Sequence, residues 1–156
     1  MIAPVLLCLV LPTLIVRAEH RLRVSPFFAS PGLVVLGSAA CGVGLVLFIA
    51  TVRMLFLIGR GTIMPWDPTR KLVVGSLYSH VRNPMILSLL ILLVGEALLF
   101  ASYWIGVLAI VFFVINSLYF TFSEEPGLVN RFGEEYVEYR KNVPRWIPRL
   151  KPWHPH

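Results

Sequence analysis

Residues 85–122 read MILSLLILLVGEALLFASYWIGVLAIVFFVINSLYFTF, with Glu96 as the one charged residue. Two apolar runs, 85–100 and 103–122, are separated only by the uncharged "ASYW" at 101–104. A helix needs about 20 residues to cross roughly 30 Å of hydrocarbon at ~1.5 Å per residue. The second run is about right, and the first is short unless its flanks join in. Tyr103 and Trp104 stand where an interfacial aromatic belt would be. The stretch therefore predicts a tight helical hairpin, with Arg82 to Met85 and Tyr119 to Glu125 at one depth.

Outward from the hairpin, two further apolar segments appear at about 2–16 and 32–58. With 57% apolar and 14% charged residues in a 156-residue chain and a positive mean hydropathy, the composition lies outside the soluble range. The predicted fold class is all-α: a multi-pass transmembrane helical bundle of about four segments, forming a single membrane domain over 1–156. The net charge of +6 gathers between and after the apolar runs. That pattern points to loops against anionic headgroups of the lipid bilayer and excludes nucleic acid, because no soluble basic face remains.

Arg60, Arg70, Lys71, Arg82 and the basic tail from Arg131 to Lys151 mark the open side of the hairpin as cytoplasmic. Arg17, Arg21 and Arg23 resist this topology if both early segments span. The first segment lacks the positive leader of a signal peptide and is expected to be a retained membrane segment, with Pro4 and Pro12 making it the weakest helix. In the second, Ser38 with Gly42 and Ala40 with Gly44 have the small-xxx-small spacing of a helix-packing face. Cys8 and Cys41 lie in apolar runs without metal-ligand spacing and read as small buried hydrophobes.

The segment from 59 to 84, GRGTIMPWDPTRKLVVGSLYSHVRNP, is too long for a plain connector, and its apolar residues argue against disorder. Beyond the hairpin, SEEPGLVNRFGEEYVEYRKN carries Phe132, Tyr136 and Tyr139 at helical spacing and predicts one amphipathic helix, on the interface or over that loop. Four prolines then exclude a regular helix from VPRWIPRLKPWHPH, and Trp146 and Trp153 are expected to pin this tail at headgroup level.

Asn116, Phe120 and Glu124 at i, i+4 and i+8 form a stripe that turns polar as the helix leaves the bilayer. The hairpin brings Tyr78, Arg82 and Asn83 near Glu124 and Glu125, at the level where water meets lipid. Such a cluster is either a set of interfacial anchors and ion pairs or a site for a polar cofactor and an oily acceptor. Residue types alone leave both open.

The order and spacing of "PWDPTRKLVVGSLYSHVRNPM", an apolar hairpin, and "EEPGLVNRFGEEYVEYRKNVPRWIP" over about residues 61–150 resemble the isoprenylcysteine carboxyl methyltransferase and phospholipid N-methyltransferase family of integral membrane enzymes. The first 58 residues contribute membrane segments, and 59–156 form the methyltransferase-like region. The resemblance implies S-adenosylmethionine (S-adenosyl-L-methionine) as cofactor and a lipophilic or lipidated methyl acceptor. It implies cofactor-binding roles for Leu72, Val73, Tyr78, Asn83, Pro84, Met85 and Glu125, and catalytic-site roles for Arg82 and Glu124. Arg82 would clamp the methionyl carboxylate, Tyr78 would face the sulfonium, and the carboxylates would accept from ribose hydroxyls or the amino group. Ile86 departs from the aromatic common in the family. Phe120 stands where carboxyl-methylating members carry an arginine, which points away from a prenylcysteine carboxylate.

A nicotinamide-dependent membrane sterol or lipid reductase and a non-catalytic membrane scaffold are the alternatives. No glycine-rich strand-to-helix fingerprint is present, which excludes the soluble doubly wound architecture. Glu96, inside an apolar run, reads either as functional or as snorkelling near the turn. His80 is a candidate cofactor contact, and Asp67 between Trp66 and Pro68 reads as a turn residue.

Overall fold

The computed structural model describes residues 6–23, 30–58, 72 and 74–154. Regular structure among them is entirely helical: α1 (Leu11–Leu22) after a π-helical turn (Leu6–Val10), α2 (Pro31–Ile58), a 3-10 turn (Ser76–Ser79), α3 (Pro84–Leu99), α4 (Tyr103–Tyr119), a second π-helical turn (Phe120–Glu124), α5 (Glu125–Phe132) and α6 (Glu134–Asn142). The fold is an all-α membrane fold. Two stretches, Pro31–Met54 and the continuous helix Tyr103–Phe132, are long and apolar enough to cross a bilayer, whereas α3 is an apolar helix of 16 residues. The expected first segment differs most: its helix runs on through Arg17, Glu19 and Arg21 to Leu22, so the described part is amphipathic and not a simple apolar span.

The chain forms two compact units that interleave in sequence, Met1–Leu47 with Ser88–Val114, and Phe48–Leu87 with Ile115–His156. In the first, α2 and α3 meet backbone to backbone. A methyl group placed on Gly95 would lie 2.7 Å from both the amide nitrogen and Sγ of Cys41, one on Gly37 would lie 2.6 Å from the Leu99 nitrogen, and one on Gly44 would lie 2.9 Å from the Leu92 nitrogen. The packing face is thus Gly37, Cys41 and Gly44, at i, i+4 and i+7. Gly44 belongs to the stripe expected from sequence; Gly42 has nothing within 4 Å of such a methyl, so the face is rotated from the Ser38–Gly42 line. Small residues on both helices are the requirement for this approach in lipid, where side-chain burial supplies little drive.

The hairpin turn closes α3 by a pair of nested bonds, from the Ser102 amide to the Ala97 carbonyl (3.0 Å) and from the Ala101 amide to the Leu98 carbonyl (3.3 Å). Ala101 takes the left-handed conformation that this motif demands (φ 48°). Ser102 then caps α4: its Oγ accepts from the Ile105 amide at 3.2 Å and donates to Glu19 Oε1 at 2.8 Å. Tyr103 and Trp104 stay exposed, edge to face at 5.7 Å.

In the second unit, Tyr136, Tyr139 and Val143 form a buried core with Leu72, Val74, Leu128, Val129, Phe132 and Trp153 packed against it. The single amphipathic helix expected over 123–142 is two helices, because Gly133 at φ 56° ends α5 and starts α6 in a conformation that side chains disfavour. The proline-rich tail is a strap. Its carbonyls and amides pair with the segment before α3: the Arg82 amide donates to the Pro144 carbonyl, the Arg149 amide to His80 and the Trp153 amide to Ser79, each at 3.0 Å. Trp153 packs on Tyr139 (5.9 Å) and Trp146 on Phe120 (6.2 Å), so both indoles expected at headgroup level have partner rings on their own chain.

Candidate functional site

The site lies within the second unit, where three segments supply its charges. Asn83 and Pro84 begin α3, with proline at the first helical position and the Asn83 carbonyl accepting the Leu87 amide (3.0 Å). The extended residues before them are held by the strap, which fixes where Arg82 emerges.

The opposite carboxylates come from the π-helical turn. The Glu125 amide donates to the Phe120 carbonyl, an i to i+5 bond, and Pro126 just beyond has no N–H to continue the ordinary ladder. One extra residue in the turn puts position 125, rather than 124, on the stripe of Phe120. Both Phe120 and Glu125 are 8% exposed.

Arg82 Nη1 donates to Glu125 Oε1 at 2.6 Å, with side-chain exposures of only 12% and 11%. Two further guanidiniums converge on the same carboxylate. Arg145 donates to Oε1 through Nε at 3.1 Å and also through Nη2, and Arg140 Nη1 lies 3.6 Å from Oε2. Arg145 Nη1 also donates to Thr121 Oγ1 (2.7 Å), whose own hydroxyl bonds back to the Ser117 carbonyl (2.7 Å). A carboxylate this deep is tolerable because it is surrounded by cations with directed donors.

Two groups are left over. Arg82 Nε is buried without an acceptor, and Glu124, half-buried, pairs with none of the described arginines. Three tyrosines complete the surroundings. Tyr136 OH lies 3.5 Å from Arg82 Nη1, and Tyr139 donates to the Tyr78 carbonyl at 2.7 Å. Burial pushes the Tyr78 hydroxyl well above its ordinary value, with the Glu124 charge adding to it. Burial raises Tyr139 too, with Tyr78 contributing, and raises Tyr136 against the opposing hydrogen bond from Arg82.

Of the residues singled out from sequence, Arg82 and Glu125 are in direct contact, and Glu124 is near enough to act on Tyr78. Leu72 packs into the tyrosine core. Asn83 and Met85 are half-buried and Pro84 is buried at the head of α3. Val73 lies outside the described residues, as do Trp66, Asp67 and most of the 59–84 segment. His80 is turned to the strap, its Nδ1 2.7 Å from the Arg149 carbonyl oxygen. Arg140 and Arg145 were lost in a generally basic tail. The signal that could have found Arg145 is the Val143-Pro144-Arg145 triplet, a proline that ends a helix just before a lone cation.

The model of the family described as phospholipid methyltransferase matches residues 33–135. The chain is also 32% identical over 98 residues to methanethiol S-methyltransferase 2 from Bradyrhizobium diazoefficiens, a match covering 63% of this chain and 36% of that protein. The chain therefore spans about a third of the length of the curated relative it matches. No solved structure matches it.

Proposed function

Because this chain belongs to the phospholipid methyltransferase family, we propose that it transfers a methyl group from S-adenosylmethionine to an uncharged, lipophilic acceptor where bilayer meets water. The observation that carries the proposal is the cluster of Arg82, Glu124, Glu125 and Tyr78, drawn from sequence-distant segments within the matched region. The donor set is compatible with the cofactor. Arg82 keeps one buried donor without an acceptor, and Glu124 makes no close ion pair among the described residues. Glu125 is committed to three arginines and acts as the anchor that holds Arg82 and Arg145 in place.

When bound, S-adenosylmethionine supplies an electrophilic methyl on a sulfonium, with a neutral thioether as leaving group. Arg82 would hold the methionyl carboxylate, Glu124 would accept from the ribose hydroxyls or the amino group, and the Tyr78 ring would face the cation. Asn83, Pro84, Met85 and the Leu72–Val73 segment would form the remaining wall. These residues orient the reagents and exclude water, which is most of what methyl transfer asks of a protein. The basic residues on the site's own segments, Arg82, Arg131, Arg140 and Arg145, favour a multi-pass topology with this face cytoplasmic.

The acceptor is argued from Phe120. A buried ring against Trp146, rather than a cation, stands four residues before Glu124, which favours a neutral nucleophile over a carboxylate. The name of the Bradyrhizobium relative makes a thiol the first acceptor to offer. Calorimetry of the detergent-purified protein with S-adenosylmethionine and with NADPH, followed by radiolabelled methyl transfer to thiols and lipids, tests this. Binding of S-adenosylmethionine that weakens at least tenfold in Glu124→Gln is expected. Binding of NADPH instead, or unchanged affinity in both Glu124→Gln and Arg82→Ala, would refute it.

A further inference from the structure

The first unit holds a recess that the proposed chemistry does not use. It has a volume of about 370 Å³ and is lined by Cys8, Leu9, Pro12, Thr13, Val16, Arg17, Glu96 and Phe100, so α1 with its π-helical turn forms one wall and the end of α3 the other. That volume falls in the range of small-molecule sites, which run from about 300 to 1,000 Å³. Most of the wall is hydrocarbon. Among its polar residues Thr13, Arg17 and Glu96, the buried one is Glu96, 8% exposed, whose Oε2 is buried with no hydrogen-bond partner.

A buried carboxylate oxygen without a donor is expensive, and in an apolar helix such a residue marks a site. The neighbours of Glu96 do not relieve it. Thr13, which lines the recess, gives its hydroxyl proton to the Leu9 carbonyl at 2.5 Å, so that proton is spent elsewhere. Arg17 lines the recess and makes no ion pair with Glu96 among the described residues.

We propose that this recess binds an apolar molecule carrying a single neutral hydroxyl, with the hydroxyl donating to Glu96 Oε2 and the hydrocarbon body against Leu9, Pro12, Val16 and Phe100. Charge selects that class of head. An anion meets the Glu96 carboxylate, and a cation meets the Arg17 guanidinium on the facing wall, whereas a hydroxyl satisfies the lone oxygen without opposing either. The membrane is the source from which such a molecule enters, because the two wall helices also expose apolar side chains, Leu14 on α1 and Val94 on α3.

The test is photo-crosslinking of the detergent-purified protein with a diazirine-bearing decanol and, in parallel, with its methyl ether, which has the same body and no donor. Labelled peptides are mapped by mass spectrometry. The alcohol is expected to label residues 6–22 and 96–100 about tenfold more than the ether, the difference that one hydrogen bond to a carboxylate supports. Glu96→Gln, which keeps the shape and loses the charge, is expected to bring the alcohol down towards the ether. Val16→Trp, which fills the recess without touching the carboxylate, is expected to remove labelling by both. Equal labelling by alcohol and ether, or labelling unchanged in either variant that retains the parent's elution profile, would overturn the proposal. Loss of methyl transfer in Glu124→Gln leaves this readout unaffected, so the two sites fail independently.

Discussion

The two units hold themselves together by opposite means. In the first, α2 and α3 touch through Gly37, Gly44 and Gly95, and large side chains such as Val35, Leu36 and Val46 point away, exposed. In the second, aromatic rings are buried around Tyr136 and Tyr139, and four charged side chains converge on one point. Lipid explains the contrast. Hydrocarbon solvates a valine as well as a neighbouring helix does, so only close backbone approach is gained by packing. Where water is the competitor, burying a tyrosine is favourable in its own right. The charged cluster proposed as the site accordingly belongs to the unit built on the second principle.

The sharpest way to break the contrast is Glu125→Ala. It leaves Arg82 and Arg145 without the carboxylate that pairs them, and loss of one partner from a buried pair typically destabilises by about 3–5 kcal/mol. Thermal unfolding in detergent should show the second unit lost first, with methyl transfer abolished. Gly95→Leu attacks the other unit. Its first added carbon already lies 2.7 Å from Cys41 backbone and sulfur, so the helices must separate, at about 1–3 kcal/mol. A disulfide-free thiol assay should then find Cys41 more reactive while the affinity for S-adenosylmethionine is retained.

Smaller effects separate packing from charge within the second unit. Tyr139→Phe removes the 2.7 Å bond to the Tyr78 carbonyl and should lower stability by about 1 kcal/mol. The raised hydroxyls of Tyr78, Tyr136 and Tyr139 also fix a sign. Below their ordinary value of 10.0 both folded and unfolded chains keep the protons, and above it the unfolded chain loses them first. Between about pH 8 and pH 10 stability should be level, and it should fall as pH rises past 10, with a shallower fall in Tyr139→Phe. A denaturation series between pH 8 and about pH 11 measures both.

The hairpin at Ala101–Trp104 was legible because a short charge-free break carrying Tyr103 and Trp104 between two apolar runs has few other readings, and Ser102 is a capping residue in the right place. The meeting of Arg82 with the glutamate pair followed from depth alone. Which glutamate it meets did not, because a regular helical repeat from Asn116 and Phe120 leads to Glu124, and the π-helical turn that selects Glu125 has no pattern of its own in sequence beyond Pro126. The small-residue face was half legible. Composition reveals that α2 has one, but the rotation that chooses Gly37 and Gly44 over Gly42 depends on the partner glycine on α3, far away in the chain. The ring partners of Trp146 and Trp153 were not legible, because an indole beside arginines suits a headgroup as well as it suits Phe120 or Tyr139.

The turn at Phe120–Glu124 has a consequence for comparing this chain with others. Each residue advances a helix by about 100°, so an ungapped alignment to a relative lacking the insertion would match Glu125 with a side chain aimed a quarter-turn or more elsewhere. Equivalence downstream of Tyr119 must therefore be judged by azimuth, and a single deletion in that turn would do more harm than most replacements of the residues it carries.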